Sequence, residues 1–188
     1  MILCAGDNET FKFATPIGVG LVNSAMNFTQ LCLFNKPDYV IFIGSAGSYG
    51  EYDMFDIIES SSASNIELSF LDDNSYTPLD NVIKTNNNIL RDDTIVNSSN
   101  YITTSTSLSS KFKQHGIGCE NMEFFSLVSI AKEFNIPIAG TFVITNYTNK
   151  EARKDFIKNH TKAMDKLIDF LQKRNIIVPH GTLKKERL

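Results

Sequence analysis

The 188 residues include no tryptophan, only three cysteines and five prolines, and a net charge of just −3, and each scarcity excludes a class of protein. Cys4, Cys32 and Cys119 lie far apart and share no Cys-x-x-Cys or Cys/His spacing, so neither a disulfide framework nor a metal site is expected. That usage suits a cytoplasmic protein. The weakly acidic balance lacks the clustered basic surface that holds nucleic acid. No apolar run approaches the roughly 20 residues of a membrane span, and the first residues show no charged stretch ahead of an apolar one. What is present is 42% apolar residues, enough for one core, which we read as a single domain over 1–174 with a tail over 175–188.

In chain order, Ile2-Leu3-Cys4-Ala5 and Phe11-Lys12-Phe13-Ala14 flank Gly6-Asp7-Asn8-Glu9 and predict a β-hairpin. A helix over 21–34 follows, its apolar residues on one stripe and Pro37 beyond its end. Val40-Ile41-Phe42-Ile43 predicts a strand buried on both faces, running into a tight Gly44-Ser45-Ala46-Gly47 loop. After a strand at 55–59, the polar stretch 60–110 predicts short strands around 66–68, 81–83, 94–96 and 101–103, with little helix. A brief strand at 117–119 leads to a helix opening at Glu120-Asn121-Met122-Glu123. The strand 138–144 delivers Thr145-Asn146, and a long amphipathic helix spans about 150–173. The fold class is therefore α/β, a mixed central sheet flanked by helices.

Ligands of open α/β sheets collect at the carboxyl ends of central strands. The candidate pocket is thus Ser45, Gly47, Met122, Glu123, Thr145 and Asn146. A carboxylate such as Glu123 can accept two hydrogen bonds from vicinal hydroxyls, and an amide such as Asn146 offers a donor and an acceptor to a heterocycle edge. Helix capping by Glu123 and an ordinary turn at Asn146 remain the alternatives. His115, His160 and His180 read as surface residues, with no relation to this pocket.

Taken jointly and in order, Pro16-Ile17-Gly18-Val19-Gly20, Lys36-Pro37-Asp38, Gly44-Ser45-Ala46-Gly47, Asn121-Met122-Glu123-Phe124, Asn135-Ile136-Pro137 and Val143-Ile144-Thr145-Asn146 resemble the purine nucleoside phosphorylase and methylthioadenosine/adenosylhomocysteine nucleosidase family. The resemblance implies a nucleoside-phosphorylase-like fold cleaving the N-glycosidic bond of a purine nucleoside. Glu123 would grip the ribose 2′ and 3′ hydroxyls, Met122 would pack on the sugar, and Ser45 would touch the nucleophile or ribose. It also implies phosphate as co-substrate, no cofactor, and a homo-oligomer, either dimer or hexamer.

Asn146 stands where the family commonly has an aspartate beside purine N7. An amide donates a hydrogen bond without transferring a proton, which favours a 6-oxopurine; Asn146 and Glu123 are accordingly the catalytic candidates. Three departures accompany the resemblance: no match for the family's opening β–α unit, which carries the phosphate loop of phosphorylases and the catalytic glutamate of nucleosidases; Phe42 in place of a phosphate-binding arginine; and no aromatic ring in Thr103-Thr104-Ser105-Thr106-Ser107. Nothing in the spacing of Asp7 or Glu9 brings either near Ser45, so phosphorolysis is expected ahead of hydrolysis. The alternative expectation is a catalytically silent member that binds nucleosides or serves in assembly.

Overall fold

A computed structural model describes residues 1–85 and 90–177. Its sheet is built on β3 (Val40–Ser48) and β9 (Ile138–Tyr147), which run parallel in register from Val40 opposite Ile138 to Ser48 opposite Tyr147. Both are buried along almost their whole length, which is why they read as unbroken apolar runs rather than alternating ones. On the far side of β9 lies β4 (Ile57–Ser60), antiparallel.

The other edge of β3 is divided. β1 (Ile2–Cys4) pairs with Ile41, Phe42 and Ile43, whereas β8 (Ile117–Asn121) pairs antiparallel with Gly47 and Ser48. Beyond β8 come β7 (Ile95–Ser98), β5 (Ser62–Ser64) and β6 (Val82–Lys84), while β2 (Thr15–Pro16) flanks β1. Between the end of β1 and the start of β8, the stretch Gly44–Ala46 has no strand neighbour on that edge among the described residues. This gap positions the site.

Three helices cover the sheet: α1 (Gly20–Phe34) and α4 (Phe124–Glu133) pack against each other on one face, and α5 (Ala152–Lys173) lies on the other. Two shorter ones, α2 (Leu68–Leu71) and α3 (Thr106–Gln114), sit at the edge. Phe42, Phe124 and Phe142 form the centre of the core beneath α4; the Phe42 ring is fully buried there, with its centroid 6.3 Å from Phe124 and 5.9 Å from Phe142. A second cluster joins Phe11, Ile41, Ile43 and Val143 to Ala163, Met164, Leu167 and Leu171 of α5.

Several expectations are corrected. The opening residues do not form a hairpin: β1 and β2 are parallel, Leu3 opposite Thr15, and residues 5–14 between them are a loop. A strand is thus present at the start, but no helix precedes α1. Gly44-Ser45-Ala46-Gly47 is not a turn; it continues β3, because β9 goes on pairing with it past a bulge. Residues 66–68 and 101–103 form no strand, and α3 occupies part of the stretch expected to be poor in helix. Most of the predicted tail, 178–188, lies outside the described residues, as does His180.

Candidate active site

Ser45 lies in the gap on β3, where its backbone groups have no strand partner. Side chains fill the role. Ser45 N–H donates to both carboxylate oxygens of Glu9, at 3.2 Å each, and the Ser45 hydroxyl donates to Glu9 Oε1. Ser45 C=O accepts from Asn121 Nδ2 at 3.1 Å. Glu9 reaches this position because a turn closed by Glu9 N–H donating to Gly6 C=O at 2.8 Å folds the 5–14 loop back over the sheet end. Gly44 leaves the space: a Cβ there would stand 2.6 Å from Glu9 Oε2, a contact no real side chain makes.

Asn121 also organises the other carboxylate. Its Oδ1 accepts from the N–H groups of Glu123 (2.9 Å) and Phe124 (3.0 Å), so Asn121 supplies the hydrogen bonds at the start of α4. Glu123 makes no side-chain cap bond. Its Oε1 instead accepts from Gly20 N–H at 2.8 Å, across 103 residues of chain, which ties α4 to the start of α1.

Asn146 is set by the bulge. Ala46 pairs with Ile144 and Gly47 with Asn146, so Thr145 is the extra residue of β9. Fully buried, Thr145 donates its hydroxyl to Asn146 Oδ1 at 2.9 Å, which orients the amide; Asn146 Nδ2 donates to Tyr147 C=O at 3.3 Å. Gly47 admits this arrangement, since a Cβ would lie 3.0 Å from Asn146 Nδ2.

Glu9, Ser45, Gly47, Met122, Glu123 and Asn146 line one cavity of about 260 Å³, with Tyr101, Ile102, Arg153 and Phe156 also on its walls. The sequence-based candidates are therefore brought together, except that Thr145 stands behind the wall as a positioning group. Phe42, sealed in the core, takes no part. Tyr101 and Phe156 bring aromatic rings that the 103–107 stretch lacks.

Electrostatically the cavity is dominated by two buried carboxylates. Burial pushes Glu9 up from the usual carboxylate range, opposed by its bonds from Ser45 and by the nearby His160. Burial pushes Glu123 up to about 7, opposed by the Gly20 N–H and reinforced by the charge of Glu9. A third carboxylate on the wall, Glu120, is engaged by Thr103 N–H (2.9 Å), Thr103 Oγ1 (2.7 Å) and Tyr49 Oη (2.9 Å), which makes it part of the frame. Among the described residues no cluster of His, Cys, Asp and Glu is placed to hold a metal ion.

Two residues escaped the sequence reading. Glu9 does approach Ser45, contrary to expectation, because the parallel β1–β2 connection carries it there. His160 is half-buried rather than a freely exposed surface residue: its ring centroid lies 5.0 Å from that of Phe156, and its Nε2 is buried. The available signal was its spacing, four residues after Phe156 and three before Ala163 on the buried stripe of α5.

No protein-family model matches the chain, and no curated protein does. Solved structures do. The D198N mutant of the Helicobacter pylori methylthioadenosine nucleosidase, with 5′-methylthioadenosine in the active site, superposes at a TM-score of 0.72 and 19% identity, over 87% of this chain and 79% of that one. This is the nucleosidase fold. A futalosine hydrolase mutant of H. pylori has a TM-score of 0.73 at 18% identity, over 87% of this chain and 79% of that one. The Streptococcus pneumoniae methylthioadenosine/adenosylhomocysteine nucleosidase, with the transition-state inhibitor MT-ImmA, gives 0.73 at 15% identity over 90% and 95%. The nucleosidase fold accounts for the parallel β3–β9 centre as well as for the predicted α/β class.

Proposed function

We propose that this chain hydrolyses the N-glycosidic bond of a purine nucleoside, with Glu9 as general base. The observation that carries the reading is the Glu9 carboxylate held on Ser45, in one cavity with Glu123 and Asn146. Water placed against Glu9 gives up a proton to it as its oxygen bonds to C1′. The C1′–N9 bond breaks through an oxocarbenium-like sugar, and the bond's electron pair leaves with the base. Glu123 accepts hydrogen bonds from the ribose hydroxyls, contacts that strengthen as positive charge builds on the sugar.

Asn146 donates an N–H to the departing purine but no proton. This suits a 6-oxopurine, whose anion delocalises onto O6 and departs without being protonated first; it then takes its proton from solvent. Two solved structures of the same fold hold 5′-methylthioadenosine and the transition-state inhibitor MT-ImmA, which supports a purine nucleoside as the ligand class.

Phosphorolysis, expected from the resemblance to phosphorylases, gains less support. A phosphate in contact with Ser45 would stand beside the Glu9 carboxylate, where like charges at 4 Å repel by about 4 kcal/mol per charge pair at an effective dielectric of about 20. Neutral water meets no such penalty. Homo-oligomerisation also stays within the proposal: Val22, Met26 and Leu33 lie exposed on α1, an apolar face that a second copy would cover.

The test is product analysis with inosine, guanosine and adenosine, with and without phosphate. Free base and free ribose formed without phosphate are expected, inosine or guanosine preferred. Ribose 1-phosphate formed only with phosphate would overturn hydrolysis. Tight nucleoside binding with no turnover of any of the three would instead favour the silent binding member.

A further inference from the structure

Among the described residues the cavity has a single cation on its walls, Arg153, and the hydrolysis above gives it no task. Arg91 and Arg174 both bind the buried Glu59, whereas the Arg153 guanidinium makes no hydrogen bond or ion pair among the described residues. Its place is locally unfavourable. As the second residue of α5 it sets a cation against the positive end of the helix dipole. The neighbouring Lys154 offsets the same penalty with a 2.9 Å ion pair to Glu151, and Arg153 has no such partner. A residue that breaks a local rule without local compensation, on the wall of a cavity, is placed there for a ligand.

We propose that Arg153 determines specificity by binding an anionic group on C5′ of the nucleoside, a phosphate or a carboxylate. This rests on the reading of the cavity as a purine nucleoside site, but not on the identity of the base that activates water. A planar guanidinium meets either anion with two parallel N–H donors, a geometry that a neutral 5′-hydroxyl cannot use.

The position on the nucleoside follows from the two faces of the sheet. Glu123, which takes the 2′ and 3′ hydroxyls, comes from the start of α4 on one face, and Arg153 and Phe156 come from α5 on the other. With the 2′,3′ edge of the ribose turned to Glu123, the C1′–O4′–C4′ side turns to α5. C1′ carries the base, so C5′ on C4′ is the substituent left for Arg153. Phe156, three residues further along and on the same side of the helix, gives that substituent an apolar wall. The charges agree with this placement. An anion set against Ser45 would meet the Glu9 carboxylate, whereas one at Arg153 meets a cation. Glu120 is held by Thr103 and Tyr49, and Asp7, the remaining acid on the wall, is exposed and screened by solvent.

The kinetic test compares inosine 5′-monophosphate and inosine-5′-carboxylic acid with inosine as substrates of the full chain. The expected ratio of kcat/KM, the better anionic substrate over inosine, is about 10 or more in the wild type; it should fall about tenfold in Arg153→Gln and be partly restored in Arg153→Lys. Because Arg153 is exposed, the wild-type ratio should also shrink as salt rises from about 0.05 M to about 0.5 M. A merely structural role would slow all three substrates alike and leave the ratio unmoved, which contradicts the proposal.

Calorimetric titration of Glu9→Gln supplies an arm independent of turnover. The better anionic nucleoside should bind about tenfold more tightly than inosine, and adding Arg153→Gln should remove that advantage. Inosine bound as tightly as both anionic nucleosides would overturn the assignment of Arg153 and leave the nucleoside site standing. Inorganic phosphate that displaces the monophosphate at equal concentration, and does so only with Arg153 present, would also overturn it, since the anion site would then serve a co-substrate. A wild type that hydrolyses none of the three defeats the hydrolytic reading alone, and the calorimetric difference still decides what Arg153 binds.

Discussion

Replacing Glu123 by glutamine removes a buried charge at nearly constant shape, and the structure sets both the sign and the size of the effect. Burial pushes the Glu123 carboxyl up to about 7 from its usual 4.5. A carboxyl raised in the folded state favours folding most when protonated, so its contribution is fully present below about pH 4.5 and is lost as pH rises through 7. The span from 4.5 to about 7 corresponds to about 3 kcal/mol of native-state penalty above neutrality. That penalty already includes the favourable bond from Gly20 N–H, which donates to Glu123 Oε1 at 2.8 Å. The expectation for Glu123→Gln is therefore about 3 kcal/mol of stabilisation at pH 8, a rise in Tm of about 6–12 °C for a chain of this size. Near pH 4.5 wild type and variant should melt together. The same substitution should cost kcat/KM at least about tenfold, through weakened acceptance from the ribose hydroxyls. Thermal melts at several pH values supply the assay. A variant no more stable than wild type at pH 8, or one stabilised equally at pH 4.5, would refute the reasoning.

Other perturbations probe other parts of the site. Gly44→Ala puts a methyl group 2.6 Å from Glu9 Oε2, at the far end of a flexible side chain; we expect the carboxylate to be displaced, so activity should fall by about 10²-fold or more while urea unfolding changes little. Asn146→Asp introduces a group able to carry a proton to the purine, and the ratio of adenosine to inosine turnover should rise, as read by parallel initial rates. Glu59 is fully buried on β4 and receives Arg91 Nε at 3.0 Å and Arg174 Nη2 at 3.5 Å; Glu59→Ala should destabilise the fold by about 1–3 kcal/mol in urea titrations, less than a fully buried pair because both arginines are partly exposed.

The parts of this molecule that were legible in sequence are those governed by local pattern. β3 and β9 announced themselves as apolar runs between polar boundaries, and the helices α1, α4 and α5 through stripes and stops, so the starts of both strands and the extent of the helices fell close to where the structure has them, whereas β3 runs on to Ser48 and β9 to Tyr147 past their expected ends. With them came Ser45 and Asn146, toward the carboxyl ends of those strands, and Glu123 at the start of α4. Glu9 was hidden for the opposite reason. Two short runs of strand formers around Gly6-Asp7-Asn8 look like a hairpin locally, and only pairing with distant Ile41–Ile43 makes them parallel. The role of Asn121 was equally invisible, because a capping carboxylate at Glu123 was the simpler local explanation until Asn121 Oδ1 was seen to take both N–H groups. The middle stretch misled because its serines satisfy backbone groups through side chains. The single Ser60 hydroxyl proton, for instance, is within reach of both Ser62 C=O at 2.9 Å and Thr94 C=O at 2.6 Å, contacts that leave no periodic trace.

The central claim is that Glu9 activates water at the sheet end, and it is tested most directly by the rate of base release from inosine in phosphate-free buffer, wild type against Glu9→Gln. The account predicts steady turnover by the wild type and a loss of about 10²–10⁴-fold in kcat, with little change in KM, for the variant. A Glu9→Gln protein that keeps the wild-type rate, or a wild type that releases base only when phosphate is added, would contradict it.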